Sequence, residues 1–207
     1  MCGIILSFNK EKFKSLVELN QYRGTHSWSF CVGDSVQKGF GPFPNEIVDA
    51  APDGMMIGHV QAPTTEAKDM DSIHPAEVVG SRLWHNGIIK HAAVQKLKAL
   101  TGLDSDWDTL HLLEYLMMFE VESLSEVDGS FACILKTVVG DTYVFRNDIS
   151  PLYFAEDELG VNISSCRFEG ASMLDSGRFF LLSDGKLQDT EFRFTTANHP
   201  FFFGEDG

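Results

Sequence analysis

The sequence predicts an α+β fold in which two sheets have helices outside them. In the first half, short apolar segments separated by Gly, Pro and Asp are typical of strands joined by turns. From Ser130 onward the pattern is again that of strands, and between these regions apolar residues at helical spacing predict two consecutive helices. With 207 residues the chain fits one domain, residues 1–207, in which the segment from about residue 191 is a possible tail.

Each element follows from a local pattern. A short apolar strand comes first, and a helix is predicted after it because Phe13, Leu16 and Val17 share one face. Asn9 can cap this helix. Asn86-Gly87 indicates a tight turn at the end of a later strand. The predicted strands span residues 2–8, 32–40, 55–60, 82–85, 131–138, 142–145, 152–155, 161–164 and 178–182.

Two helices are predicted in the middle of the chain. Apolar residues recur at helical spacing across 91–101, and Gly102 stands where a C-terminal cap belongs. The apolar stretch 110–119 predicts the second helix. Ser105 can cap it, with Asp108 three residues later as an acidic variant of the capping box.

Composition and charge argue against several classes of function. A net charge of -14 speaks against a nucleic-acid binder, because phosphate neutralisation requires clustered Lys and Arg. The start has no basic leader and no apolar run is long enough to cross a bilayer, so we expect a cytoplasmic protein without membrane contact. We expect no metal, no cofactor and no disulfide framework, since the cysteines are widely scattered: Cys2, Cys31, Cys133 and Cys166.

The strongest single chemical feature is Cys2, directly behind Met1. Removal of Met1, which a small second residue favours, would leave a thiol and a free α-amino group on one residue. An α-amino group has a pKa of roughly 7.7–8.0, so at neutral pH a useful fraction can accept the thiol proton. One residue then supplies both nucleophile and base. The alternative is that Cys2 is a small apolar residue at the head of a strand.

A co-linear series of short motifs accompanies Cys2. The series is Met1-Cys2-Gly3-Ile4, Tyr22-Arg23-Gly24-x-x-Ser27, Ile57-Gly58-His59, His74-Pro75, His85-Asn86-Gly87-Ile88-Ile89, Asp108-Thr109, Asp128-Gly129-Ser130-Phe131, Arg146-Asn147-Asp148-x-Ser150-Pro151-Leu152 and Ser164-Ser165. In this order, over roughly residues 2–190, the motifs resemble the class II glutamine amidotransferase domain, the glutaminase part of asparagine synthetase and glucosamine-6-phosphate synthase. The resemblance implies the N-terminal-nucleophile hydrolase fold, a four-layer αββα sandwich of two mainly antiparallel sheets. It also implies amide hydrolysis through a γ-glutamyl thioester.

The resemblance further implies roles for individual residues. Asn86 and Gly87 would form the oxyanion hole, with a simple hairpin turn as the alternative. Asp108 would bind the α-ammonium group of the substrate, and helix capping is its competing role. Arg23 would organise the site beside the nucleophile, where the alternative is a solvated surface arginine.

The sequence departs from the family at one substrate-binding position. Where the family reads His-x-Arg-x-x-Thr, the segment from His59 to Thr64 has Gln61 in place of the arginine that clamps the substrate α-carboxylate. An amide cannot replace a bidentate, charge-assisted pair, which is worth roughly 1.5–3 kcal/mol. Gln61 and Thr64 can still hydrogen-bond a carboxylate, or the substrate can carry its carboxyl as an amide or peptide. We expect His59 and His74, which match family histidines, to be structural.

Three functions are compatible with these residues. In the first, Cys2 hydrolyses the side-chain amide of glutamine, and a separate synthetase or ligase subunit accepts the ammonia. In the second, the same nucleophile cleaves another γ-glutamyl or simple amide, with no ammonia transfer and no partner. In the third, the fold is a binding module with degraded catalysis, although the joint retention of the implied site residues argues against it.

Overall fold

The computed structural model describes residues 2–62 and 70–197, so Thr64 and the Phe-rich segment 200–203 lie outside the described residues. The described residues form two antiparallel sheets, one of seven strands and one of six. The strands are β1 Gly3–Ser7, β2 Ser27–Val32, β3 Ser35–Phe40, β4 Met56–Gln61, β5 Ala76–Val78, β6 Ser81–Ile89, β7 Gly129–Lys136, β8 Thr142–Arg146, β9 Tyr153–Asp157, β10 Gly160–Ser164, β11 Ser172–Met173, β12 Arg178–Ser183 and β13 Lys186–Arg193. The helices are α1 Lys10–Gln21, α2 Glu46–Ala50, α3 His91–Thr101 and α4 Asp108–Met118, with short 3₁₀ helices at Met70–Ser72 and Val121–Glu126.

The two sheets face each other and carry helices on their outer sides. The larger sheet has the strand order β11-β9-β10-β1-β4-β2-β3, and the smaller has the order β13-β12-β8-β7-β6-β5. Between them, Ile4 and Leu6 of β1 pack in one buried cluster with Trp84 of β6 and Ile134 of β7. On the other face of the larger sheet, Phe13 of α1 belongs to a second cluster, and α3 and α4 pack on the smaller sheet through a third. The predicted four-layer αββα sandwich is therefore confirmed.

The cap residues of two predicted helices are confirmed. Asn9 Oδ1 accepts a hydrogen bond of 3.1 Å from the Lys12 main-chain N–H at the start of α1. The three apolar residues of the predicted inner face of α1 are buried. Gly102 follows α3 with a φ of 72°, a left-handed conformation that glycine adopts without a steric penalty from a Cβ atom.

Two local predictions are wrong. Asn86-Gly87 is not a turn, because both residues lie inside β6, which pairs with β7 as far as Ile89. The ladder of hydrogen bonds between the two strands outweighs the local turn preference of Asn-Gly. Ser105 does not cap α4, which begins at Asp108; instead the Ser105 hydroxyl accepts a hydrogen bond of 3.1 Å from the Trp107 N–H. That bond closes a local turn ahead of the helix.

The first strand lies at the centre of the larger sheet. On one side β1 pairs with β4, with Gly3 opposite Val60, and on the other side it pairs with β10, with Ile5 opposite Ser164. All five residues of β1 are buried. Cys2 directly precedes this strand, so two neighbouring strands fix the position of its main chain.

Candidate active site

A cavity of about 1030 Å³ borders the start of β1. Four of the residues that the sequence singles out line it, namely Cys2, Gln61, Gly87 and Asp108. The rest of the described lining comes mainly from the region of β5, from β6, α3 and the segment that leads into α4. These residues are far apart in the chain, and the fold brings them to one concave surface.

Cys2 is held through its main chain by Arg23. Cys2 is 7% exposed, and its main-chain carbonyl oxygen accepts a hydrogen bond of 2.7 Å from Arg23 Nε. Arg23 lies in the loop after α1, and a Cβ atom on the next residue, Gly24, would lie 2.1 Å from the main-chain nitrogen of Ala62. This close approach fastens the loop to the end of β4. The guanidinium therefore contacts the backbone of Cys2 and is not part of the described cavity lining.

Asn86 and Gly87 lie on β6, which packs against β1 of the other sheet. Because side chains alternate along a strand, Asn86 shares the inter-sheet face with Trp84, which packs beside Ile4 of β1. Asn86 is 2% exposed and Gly87 lines the cavity. A Cβ atom at position 87 would lie only 1.9 Å from the carbonyl oxygen of Ser130, so only glycine allows β6 and β7 to approach as they do.

Asp108 connects the end of β6 to the start of α4. Its Oδ2 accepts a hydrogen bond of 3.2 Å from the Ile89 N–H, and its Oδ1 accepts one of 2.7 Å from the Thr109 N–H. The carboxylate thus satisfies a main-chain donor in the first turn of α4. Its side chain remains 27% exposed and borders the cavity, so it can also meet a cation there.

A chain of buried polar side chains runs along the wall of the cavity from Gln61 to His85. His74 Nδ1 lies 3.4 Å from Gln61 Oε1, and His74 Nε2 lies 3.0 Å from the Thr109 hydroxyl. The same hydroxyl lies 3.1 Å from His85 Nδ1, whose ring donates through Nε2 to the Ser130 carbonyl oxygen at 3.2 Å. The chain therefore links β4, β6 and α4 through side chains. Sequence reasoning missed the linking roles of Thr109 and His85, although both stand inside the motifs.

The two histidines predicted to be structural are buried here, His74 within this chain and His59 beside it. The rings of His59 and His74 stack with centroids 3.9 Å apart, and His59 Nε2 lies 3.3 Å from the His85 carbonyl oxygen. His59 is 0% and His74 is 3% exposed. Both therefore orient neighbouring groups, and His74 also borders the cavity.

Gln61 is the residue that stands in place of the family arginine. It is 0% exposed yet borders the cavity, and its Oε1 accepts from the Ser27 hydroxyl at 3.4 Å. Its Nε2 has no hydrogen-bond partner among the described residues. A buried amide N–H without a partner costs about 1–3 kcal/mol, so a ligand oxygen that accepts this hydrogen bond would recover that cost.

The charged groups of the described cavity lining are mostly acidic. The carboxylates are those of Asp71, Glu77, Asp106 and Asp108. Lys38 is the lining ammonium group among the described residues, and it donates to the carbonyl oxygens of Ile73 at 2.6 Å and Pro75 at 3.2 Å. Burial lowers the pKa of Lys38 below its usual value. The cavity therefore attracts cations more than anions.

The described ranges 2–62 and 70–197 contain neither a cluster of metal ligands nor a helix suited to span a membrane. No group of three or more His, Cys, Asp or Glu side chains is placed there to hold a metal ion. None of the described helices combines the length and the apolar character that a membrane span requires.

Comparison with known proteins identifies the fold. Neither a protein-family model nor a curated protein sequence matches this chain. Among solved structures, the chain is similar to glutamine phosphoribosylpyrophosphate amidotransferase from B. subtilis, with 19% identity, a TM-score of 0.72 and coverage of 92% of this chain. The chain spans about half of that protein, 49% of its length. It is also similar to a glutamine aminotransferase class-II domain protein from Silicibacter pomeroyi, with 11% identity, a TM-score of 0.58 and coverage of 96% of this chain and 100% of the other.

At these identities the comparison concerns the course of the backbone. The two sheets, their outer helices and the central position of β1 belong to the matched region, which covers nearly the whole chain. The fold that the motif resemblance implies is thus confirmed in three dimensions. This chain has the fold of the class II glutamine amidotransferase domain.

Proposed function

We propose that the chain hydrolyses a carboxamide with Cys2 as an N-terminal nucleophile, after removal of Met1. The observation that carries the proposal is the meeting of Cys2, Gly87 and Asp108 at one cavity, in the fold of the class II glutamine amidotransferase domain. Attack on an amide requires a nucleophile and a main-chain donor for the oxyanion. Binding of the substrate's α-ammonium group requires a carboxylate.

The reaction proceeds through a thioester. The free α-amino group of Cys2 takes the thiol proton, and Sγ forms a bond to the carboxamide carbon. The carbonyl oxygen gains negative charge, which the Asn86 side-chain amide and the Gly87 N–H stabilise. The C–N bond then breaks, and the proton passes to the departing nitrogen, which leaves as ammonia. Water hydrolyses the thioester and restores the thiol.

Two residues would position the reactants. Asp108 binds the α-ammonium group of the substrate, for which its partly exposed carboxylate is suited. Arg23 holds the carbonyl oxygen of Cys2 and so limits the movement of the nucleophile. Arg23 is therefore a positioning residue in this proposal, whereas Gln61 belongs to the substrate pocket.

In the principal form of the proposal the substrate is glutamine, and a synthetase or ligase accepts the ammonia. The similar B. subtilis protein is an amidotransferase whose chain is about twice the length of the matched region. An acceptor activity in another domain or subunit would thus complete the reaction. Co-purification of this protein with an ATP-dependent ligase would support ammonia transfer.

A second form of the proposal is a stand-alone amidohydrolase, and Gln61 favours it. A neutral amide in place of the family arginine weakens the binding of a free α-carboxylate. Without a partner, ammonia would be released into solution at the same rate as the product acid.

Covalent labelling tests both forms. The purified protein is treated with a diazo-ketone analogue of glutamine and examined by mass spectrometry, with Cys2→Ala and Cys31→Ala as matched variants. We expect one label on a Met-free Cys2, retained in Cys31→Ala and absent from Cys2→Ala. An intact Met1 in the active protein, or equal labelling of the Cys2→Ala variant, contradicts the proposal.

A further inference from the structure

The size of the cavity exceeds what one amino acid needs. Pockets that enclose drug-sized ligands usually measure about 300–1,000 Å³. The volume here, about 1030 Å³, lies at the upper end of that range, whereas free glutamine is a small molecule. The lining also extends from Cys2 to His91 and Gln95 of α3 and to Glu77 of β5. The cavity therefore has room for a chain that continues beyond the glutamine.

The charges around the cavity do not suit a free α-carboxylate. A substrate whose amide lies at Cys2 and whose ammonium group lies at Asp108 would bring its α-carboxyl group into a cavity whose described lining has four carboxylates and one ammonium group, that of Lys38. Lys38 already directs two N–H groups to main-chain carbonyl oxygens. The described lining thus offers the α-carboxylate of free glutamine little stabilisation.

Gln61 offers the kind of donor that a peptide carbonyl accepts. Gln61 borders the cavity, its Nε2 is buried and has no partner among the described residues, and its Oε1 contacts Ser27 and His74. A neutral N–H matches a neutral carbonyl oxygen, whereas a carboxylate at this depth needs a charged, bidentate partner. The replacement of the family arginine by Gln61 is therefore consistent with a substrate whose α-carboxyl is already in an amide bond.

We propose that the substrate is a glutamine at the N-terminus of a peptide or protein chain. This inference rests on the proposed function and names its substrate class. Asp108 binds the α-ammonium group of the peptide, Gln61 Nε2 donates to the first peptide carbonyl, and the following residues occupy the acidic part of the cavity. Cys2 Sγ displaces ammonia from the side-chain amide, and water then releases the peptide with an N-terminal glutamate.

A substrate comparison tests the inference. Ammonia release is measured with L-glutamine, Gln-Gly, N-acetyl-Gln-Gly and Gly-Gln. Mass spectrometry distinguishes peptides with an N-terminal glutamate from the cyclic pyroglutamyl product that N-terminal glutamine forms spontaneously. We expect kcat/KM for Gln-Gly to exceed that for L-glutamine by about tenfold, in line with the loss of one charge-assisted contact for the free acid. The two peptides without an α-ammonium group on glutamine should be poor substrates.

Variants at position 61 locate the preference in the structure. Gln61→Arg should move the preference toward L-glutamine by about tenfold, and the matched change Gln188→Arg on exposed β13 should leave it unchanged. If Gln61→Arg does not fold, Gln61→Met removes the donor with little change in volume. We then expect kcat/KM for Gln-Gly to fall toward that for L-glutamine.

The outcomes separate this inference from the proposed function. If the unaltered protein is labelled at Cys2 but its kcat/KM for L-glutamine equals or exceeds that for Gln-Gly, the inference is overturned. The proposed function then still stands. An unchanged preference in the folded position-61 variants also overturns the inference. No ammonia from any substrate, together with no label on Cys2, contradicts the proposed function itself.

Discussion

Replacement of Gly87 by alanine tests the closest backbone approach in the site. A Cβ atom at position 87 would lie 1.9 Å from Ser130 O, 2.6 Å from Ser130 C and 2.7 Å from His85 Nε2. Real Cβ atoms essentially never show contacts under 3.0 Å, so β6 and β7 must separate by about 1.1 Å at this point. The shift also lengthens the hydrogen bond between His85 Nε2 and the Ser130 carbonyl oxygen, which measures 3.2 Å.

The cost follows from these two effects. Overpacking in a well-packed region costs about 1–3 kcal/mol, and one lost hydrogen bond costs about 0.5–1.5 kcal/mol. We therefore expect Gly87→Ala to lower the free energy of unfolding by about 2–4 kcal/mol. Because the Gly87 N–H would move with the strand, amide hydrolysis should also fall by a factor of about 10²–10³.

Urea unfolding, followed by tryptophan fluorescence, measures the loss of stability. The control is Gly33→Ala, at a glycine with a φ of 57° whose added Cβ atom meets nothing within 4 Å. Only backbone strain of about 1 kcal/mol is expected for the control. If Gly87→Ala unfolds at the same urea concentration as Gly33→Ala or at a higher one, the steric argument is refuted.

Three other changes give independent tests. Asn86→Ala should raise the barrier to hydrolysis by about 2.7–4 kcal/mol with the urea midpoint nearly unchanged, and a normal rate in steady-state kinetics would exclude Asn86 from the oxyanion hole. Trp84→Ala should lower the free energy of unfolding by about 3–5 kcal/mol, because Trp84 is 0% exposed between the sheets; a loss below about 1 kcal/mol in urea unfolding would contradict the described packing. Burial raises the pKa of Asp157, but hydrogen bonds from Asn162 and from two main-chain N–H groups lower it overall. At pH values above 3.8, Asp157→Asn should therefore lower the free energy of unfolding by about 0.5 kcal/mol. This difference should vanish as the pH falls through the lowered pKa of Asp157. Urea midpoints of variant and unaltered protein that differ equally at pH 6 and pH 3 would contradict this.

Most of the regular elements could be predicted because each carries its own local signal, whereas β2, β5, β11 and α2 were not predicted. The cap at Asn9 and the left-handed Gly102 needed no knowledge of the rest of the chain. Strand β13 was not predicted, since its residues are mostly polar and exposed on both faces at the edge of a sheet. Its hydrogen-bonded partner, β12, determines its conformation.

The Asn86-Gly87 pair shows the limit of local reasoning in the site. The dipeptide favours a turn in isolation, but the need for glycine here arises from a neighbouring strand that begins at Gly129. The chain of contacts from Gln61 to His85 was equally invisible, because it joins residues from three separate elements. The residue types at the site could be named from the motifs, whereas their mutual orientation depends on packing over long distances.

The central position of β1 has a consequence for synthesis on the ribosome. The strand β1 is synthesised early, but one of its hydrogen-bond partners comes late. The Ile4 N–H donates to the hydroxyl of Ser165, which lies 161 residues further along the chain. Until that partner emerges, one edge of β1 stays open, which favours association between unfinished chains. Truncation ahead of β10 would therefore remove one of the two strands that pair with β1.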